Sequence, residues 1–217
     1  MYVHPAFRID RASSLAFAAA RGFGLVVACH DGAPVASSLP FLLDYTSDGS
    51  PRLTFHVARA NALAAIAERR GTWLVGVARD DAYVSPDWYA SPDQVPTWLY
   101  ESVHLTGPVQ IIGNLSAHLD ALTERFESGL APKPPWSAAA VTPGRKAGLM
   151  KAIVGIALMV ETVEGILKLN QHKSDADHVA VATALGERPD AGSRQLADRM
   201  IALRPHLNYE NAPALCD

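Results

Sequence analysis

The chain has 217 residues, 49% of them hydrophobic and 19% charged, with a formal net charge of −3 at pH 7. That composition excludes a disordered chain, and it excludes a protein that coats nucleic acid through bulk charge, though not one with a local basic face. Two cysteines, Cys29 and Cys216, have no CxxC partner and no metal-ligand spacing, so a disulfide framework and a zinc site lack support and a cytoplasmic location is expected.

In chain order, Met1-Tyr2-Val3-His4-Pro5 lacks the basic segment and apolar run of a signal peptide. No stretch approaches the roughly 20 apolar residues of a membrane span, so no membrane association is expected. Asp10 caps a helix through Leu15, Phe17 and Ala20 to Gly22. Gly24 to His30, the turn Asp31-Gly32 and Pro34 to Leu43 predict a hairpin that opens an antiparallel sheet. After Asp48-Gly49, the alternation of Leu53, Phe55 and Val57 predicts a half-buried strand with His56 looking outward. Asn61 caps a helix over Leu63 to Glu68, which leaves Arg59 just before a helix N-terminus. Thr72 to Val77 and Ala82 to Val84 read as two strand pieces around Arg79-Asp80-Asp81.

A longer strand follows from Trp98 to Ile112, with a bend or an edge position at Gly107-Pro108 because proline cannot donate to the ladder. Asn114 caps an amphipathic helix over 115–130 that carries Leu115, Leu119, Leu122 and Phe126 on one side, a face that needs the sheet or another subunit. Pro132, Pro134, Pro135 and Trp136 make a stiff connector, and Pro143 starts a short helix. Val154 to Val160 and Val163 to Leu169 are β-branched enough for strands, and two helices split near Pro189-Asp190 finish the chain. Six or seven strands joined by hairpins favour an α+β chain, an antiparallel barrel with helices outside.

Several chemistries are absent. Arg21-Gly22-Phe23-Gly24 lacks the third glycine of a dinucleotide fingerprint and precedes a strand, and Ser37, Ser38 and Ser85 lie in no GxSxG context. His172 to His178 offers imidazoles and carboxylates, yet Ser174 followed by Asp177 reads as a polar, solvated helix start rather than a metal site.

Two features point to a ligand. The stretch from Tyr83 to His104, stiffened by Pro86, Pro92 and Pro96, holds two of four tryptophans and three of six tyrosines. Such a cluster can line a pocket for a flat, partly polar molecule, or its tryptophans can simply plug the core. Arg59 beside a helix start suits an anion, or else a surface ion pair, and Lys168-Leu169-Asn170-Gln171 adds a second cation and two amides. Together these pieces describe a ring bearing a phosphate.

Matching stretches in order then carry a resemblance: Met1-Tyr2-Val3 to Phe7, Val35 to Leu43, His56-Val57-Ala58-Arg59-Ala60-Asn61, Tyr83 to Tyr89, Val95 to Tyr100, Val103-His104, Pro135-Trp136 and Lys168 to Gln171. In these the chain resembles the PaiB-type FMN-binding negative transcriptional regulators, built on the split-barrel flavin-binding fold. The resemblance implies an antiparallel split β-barrel over 1–172 with peripheral helices, on which the two terminal helices read from the spacing are expected to pack as a helical extension over 173–217. It implies FMN in a groove of a homodimer, a repressor's role in some members, and DNA as a partner through an element not identified in the sequence. A flavin-dependent oxidoreductase on the same barrel is the alternative, without a visible catalytic constellation. Carried over by motif, Ser37, Ser38, Leu39 and Pro40 would edge the isoalloxazine, and His56, Ala58, Arg59, Ala60 and Asn61 would hold the phosphate end. Tyr83, Ser85, Trp88, Tyr89, Thr97, Trp98 and Tyr100 would close the site with Lys168 and Gln171. Leu99, Asn170 and His172 replace the Asn, Ser and Asn usual in the family, which changes the polar contacts on offer.

Overall fold

Capping and turn chemistry set most element boundaries in the computed structural model, which describes residues 1–69 and 71–209. Cys216 and the last part of the expected helical extension lie outside the described residues. After the short β1 (Arg8–Ile9), Asp10 accepts the Ser13 amide at 2.8 Å and opens α1 (Arg11–Arg21). β2 (Phe23–His30) and β3 (Ala33–Pro40) pair across Asp31-Gly32, both at positive φ as tight hairpins require. The expected run to Leu43 breaks at the buried Phe41, because β4 (Leu42–Tyr45) leaves β2 and pairs with β5 (Pro51–Ala58) instead.

Asn61 caps α2 (Ala62–Ala67) by accepting the Leu63 amide at 2.9 Å. β6 (Thr72–Val84) is one strand where two pieces are expected, since the ladder keeps Arg79-Asp80-Asp81 extended despite its poor strand propensity. β7 (Thr97–Ile111) likewise continues through Gly107-Pro108, and it lies between β6 and β8 (Ile153–Met159) rather than at an edge. Pro108 stands just before the β7–β8 pairing begins at Val109↔Leu158. A Cβ at position 107 would lie 1.7 Å from the Met159 carbonyl oxygen, so only glycine permits that approach. The remaining elements are α3 (Leu115–Glu127), α4 (Pro143–Lys151), β9 (Thr162–Lys168), α5 (Asp175–Gly186) and α6 (Ala191–Leu203). No helix among the described residues is long and apolar enough to cross a membrane.

The chain divides into two compact units, each assembled from separated stretches. One comprises 15–77 and 104–163. Its strands follow the orders β3-β2-β6 and β7-β8-β5-β4, with Phe55 opposite Ile156 and Leu53 opposite Leu158. Phe41, Leu53, Phe55, Trp73, Val75, Leu105 and Ile156 form its interior. The outward face expected for His56 is covered by α3: His56 is half-buried, its Nδ1 3.2 Å from His118 Nε2. Of α3's expected apolar stripe only Leu122 is buried, alongside His118, while Phe126 stays 41% exposed.

The other unit comprises 1–14, 78–103 and 164 onward. β1 pairs antiparallel with β9, and β9 pairs with β7. Ala82, Val84, Tyr89 and Leu99 pack with Leu169, Val181, Leu185, Leu196 and Met200 in one cluster that embeds α5 and α6. α5 is apolar on nearly every side, so its start is only in part the solvated turn expected: Ser174 caps it by accepting the Asp177 amide at 3.2 Å, and Ser174, Asp175 and Ala176 are exposed, but Asp177 and His178 are 4% and 0% exposed.

Candidate functional site

The residues expected to meet a ligand fall in both units, and each unit gathers its own group. In the unit of 15–77 and 104–163, Ser37, Ser38, Leu39 and Pro40 lie on β3, the end strand beside β2. His56 and Ala58 lie on β5, and Arg59, Ala60 and Asn61 form the turn into α2. Asn61 joins the two segments, its Nδ2 donating to Ser37 Oγ at 2.9 Å while its Oδ1 caps Leu63. Arg59 is exposed, anchored by its amide on Ala152 O at 2.8 Å and by Nε on Lys151 O at 2.7 Å. His56 is taken up by His118. Burial pushes the His56 imidazole down, and burial plus the neighbouring His56 pushes His118 down to about 4. His118 Nδ1 is buried without a hydrogen-bond partner among the described residues, so this pair is neutral at pH 7 and belongs to the packing of α3.

In the other unit the aromatic stretch separates into two roles. Tyr83 and Trp98, on neighbouring strands, are 47% and 52% exposed and meet edge to face at 5.9 Å. Tyr100, two residues along β7 on the same face as Trp98, is half-buried. Thr97 Oγ1 accepts from Lys168 Nζ at 2.6 Å, and that ammonium lies 5.7 Å from the Phe7 ring. Burial pushes the Lys168 amine below its ordinary range. Phe7 is in turn met edge-on by His172 at 5.0 Å. Of the other residues expected to close the site, Trp88 and Tyr89 turn inward. Ser85 caps the turn Pro86–Trp88, Trp88 packs against the core cluster, and Tyr89 is 8% exposed with its hydroxyl 3.4 Å from Asn170 Oδ1. Gln171 closes the end of β9, its Oε1 accepting the Leu169 amide at 2.7 Å and its amide returning to Leu167 O.

Sequence reasoning missed the polar links behind this surface. Ser91 donates from its amide and its hydroxyl to buried Asp177, at 2.9 and 2.8 Å. Lys173 Nζ donates to Gln94 Oε1 and sits 4.8 Å over the Tyr89 ring. The available signal was α5 itself: a helix reading Val-Ala-Val-Ala-Thr-Ala-Leu after its first turn has no polar face, so the inner side of its first turn, Asp177 and His178, is buried with it.

Each unit by itself offers groups of the kind a flat ring with an anionic tail requires: one has the exposed aromatic faces of Tyr83 and Trp98 and the Lys168 ammonium, the other the exposed Arg59 guanidinium with the Ser37 hydroxyl and Asn61 amide. The residues present therefore fit a flavin mononucleotide. Among the described residues no group of three or more His, Cys, Asp or Glu is arranged to hold a metal.

Comparison with known proteins agrees. A family model described as "Putative FMN-binding domain" matches residues 1–162. Over 203 residues the chain is 28% identical to the protease synthase and sporulation protein PAI 2 of Bacillus subtilis, covering 92% of this chain and 96% of that protein. Two solved structures share the fold. The FAD and haem binding protein of Mycobacterium smegmatis is 21% identical over 73% of this chain and 71% of its own, with a TM-score of 0.53. A flavocytochrome of Azotobacter vinelandii is 18% identical over 77% and 72%, with a TM-score of 0.52. The chain belongs to the PaiB-type FMN-binding domain family, an α+β antiparallel split barrel whose cofactor is FMN.

Proposed function

We propose that the protein is an FMN-binding transcriptional regulator, a repressor of the PaiB type, acting as a homodimer on DNA. The observation that carries this reading is similarity over nearly the whole of both chains to a protein named for protease synthesis and sporulation, which are programmes of gene expression. When bound, FMN supplies a redox-active ring. The chain's own residues bind and orient it: Tyr83 and Trp98 offer aromatic faces, Lys168 is aimed by Thr97, and Arg59 offers a charge-assisted bond to the phosphate. Removing either cation should weaken FMN binding by roughly one to two decades, the scale of one charge-assisted bond.

The test is DNA retention by the purified protein, with and without FMN, across a salt series. A regulator should select particular fragments from its source genome, bind them with an affinity that falls linearly in log salt, and respond to FMN or its redox state. Its solution mass at micromolar concentration should be twice the 23.2 kDa of one chain. Failure to retain any fragment at low salt, together with oxidation of a reduced nicotinamide at tens of turnovers per second, would replace the regulator with an oxidoreductase.

A further inference from the structure

The family match ends at residue 162, and the candidate flavin residues Trp98, beside Tyr83, and Lys168, on Thr97, need their own support. Behind them, the segment 168–177 and the loop 85–96 are tied at successive points. Lys168 holds Thr97, just past the loop, and Asn170 receives the Tyr89 hydroxyl. Lys173 reaches Gln94, whose Nε2 donates to Ser91 Oγ at 2.8 Å. Asp177 Oδ1 then takes both donors of Ser91. Arg204, at the end of α6, grips the same segment from its other side: it donates to Gln171 O at 2.9 Å and Lys173 O at 3.2 Å, and pairs with Asp175 at 2.8 Å.

We infer that α5 and α6 are the jig of the flavin surface, with Asp177 and Arg204 as positioning residues that fix where Lys168 and Trp98 stand. This rests on the preceding reading that those two residues face FMN. A buried carboxylate is an expensive anchor unless several donors converge on it, and here two donors of one loop residue do. Burial raises the Asp177 carboxyl, yet the Ser91 and Ser174 bonds and the Lys173 charge together hold it below the ordinary range. It is therefore an anion, and its hold on Ser91 is charge-assisted.

The experiment titrates FMN into the full chain and records the visible circular dichroism of the bound flavin, which reports the geometry around the ring. Asp177→Ala and Ser91→Ala should each bind about tenfold more weakly, the scale of one lost bond to a charged acceptor, and change the flavin spectrum. Asp177→Asn, which keeps the Oδ1 acceptor but not the charge, should recover part of both. Ser91→Ala leaves α5 intact, so the test stands if Asp177→Ala fails to fold. Arg204→Ala should behave as Asp177→Ala does. Parent affinity and spectrum in Ser91→Ala and Arg204→Ala, alongside weakened Lys168→Ala and Trp98→Ala, would overturn the positioning role and leave the surface standing. Parent behaviour in Lys168→Ala and Trp98→Ala as well would remove the surface itself, and the inference with it.

Discussion

Helix α3 and the pair α5–α6 both carry a buried histidine, but they are held in different ways. α3 buries Leu122 and His118 and leaves Phe126 41% exposed; among the described residues its histidine meets another imidazole and no other hydrogen-bond partner. α5 and α6 bury Val181, Leu185, Leu196 and Met200, and His178 Nε2 lies 3.0 Å from the Met200 carbonyl oxygen, so that nitrogen carries the proton. Arg199 adds a 2.8 Å ion pair to Glu101, which is 6% exposed on β7. The terminal pair is thus part of its unit's core, whereas α3 is a thin cover over β5.

Leucine truncation should expose that contrast most strongly. Leu185→Ala or Leu196→Ala, both wholly buried, should cost about 3 to 5 kcal/mol in denaturant unfolding. Leu122→Ala should cost about 1 to 2 kcal/mol, because a helix with one buried leucine can settle over the gap. Equal losses would erase the distinction.

Acid should distinguish the covers next. The folded-state pKa of His118 is depressed to about 4 by burial and by His56. Folded protein thus binds fewer protons than unfolded chain once pH drops below the ordinary 6.5. Its contribution is whole above that value and is lost progressively down to about pH 4, roughly 2 kcal/mol once solvent screening is allowed for. His118→Gln should flatten that part of the pH–stability curve; an unaltered slope would show that His118 titrates normally. Asp177, depressed as a carboxylate, gives up its contribution only at pH values below the ordinary carboxylate range. The smallest effect is expected at Phe126→Ser, about 1 kcal/mol or less, because that ring is 41% exposed.

Features set by neighbours in sequence were legible. The Asp10 and Asn61 caps, the Asp31-Gly32 hairpin and the strand alternation at Leu53, Phe55 and Val57 depend on residues within a few positions of one another. Features set by distant partners were not. Phe41 divides a continuous apolar run only because Leu42 finds Thr54, and Arg79-Asp80-Asp81 stays extended only because the strand beside it does. The aromatic stretch was legible as a whole but not residue by residue. Alternation along β7 puts Trp98 outside and Leu99 inside, while the turn Pro86–Trp88 folds Tyr89 under, and nothing in the spacing of Trp and Tyr distinguishes these outcomes. Asp177 was misread because its partner, Ser91, is 86 residues away.

Whether the exposed face of Trp98 and the Lys168 ammonium seat the flavin, as proposed, is decided by FMN titration followed by quenching of flavin fluorescence. The parent should bind saturably with one FMN per chain, Trp98→Ala and Lys168→Ala should bind more weakly by about tenfold or more, and the ligand-free thermal melts of both variants should match the parent's. Parent-like affinity in both variants would contradict the proposed seat.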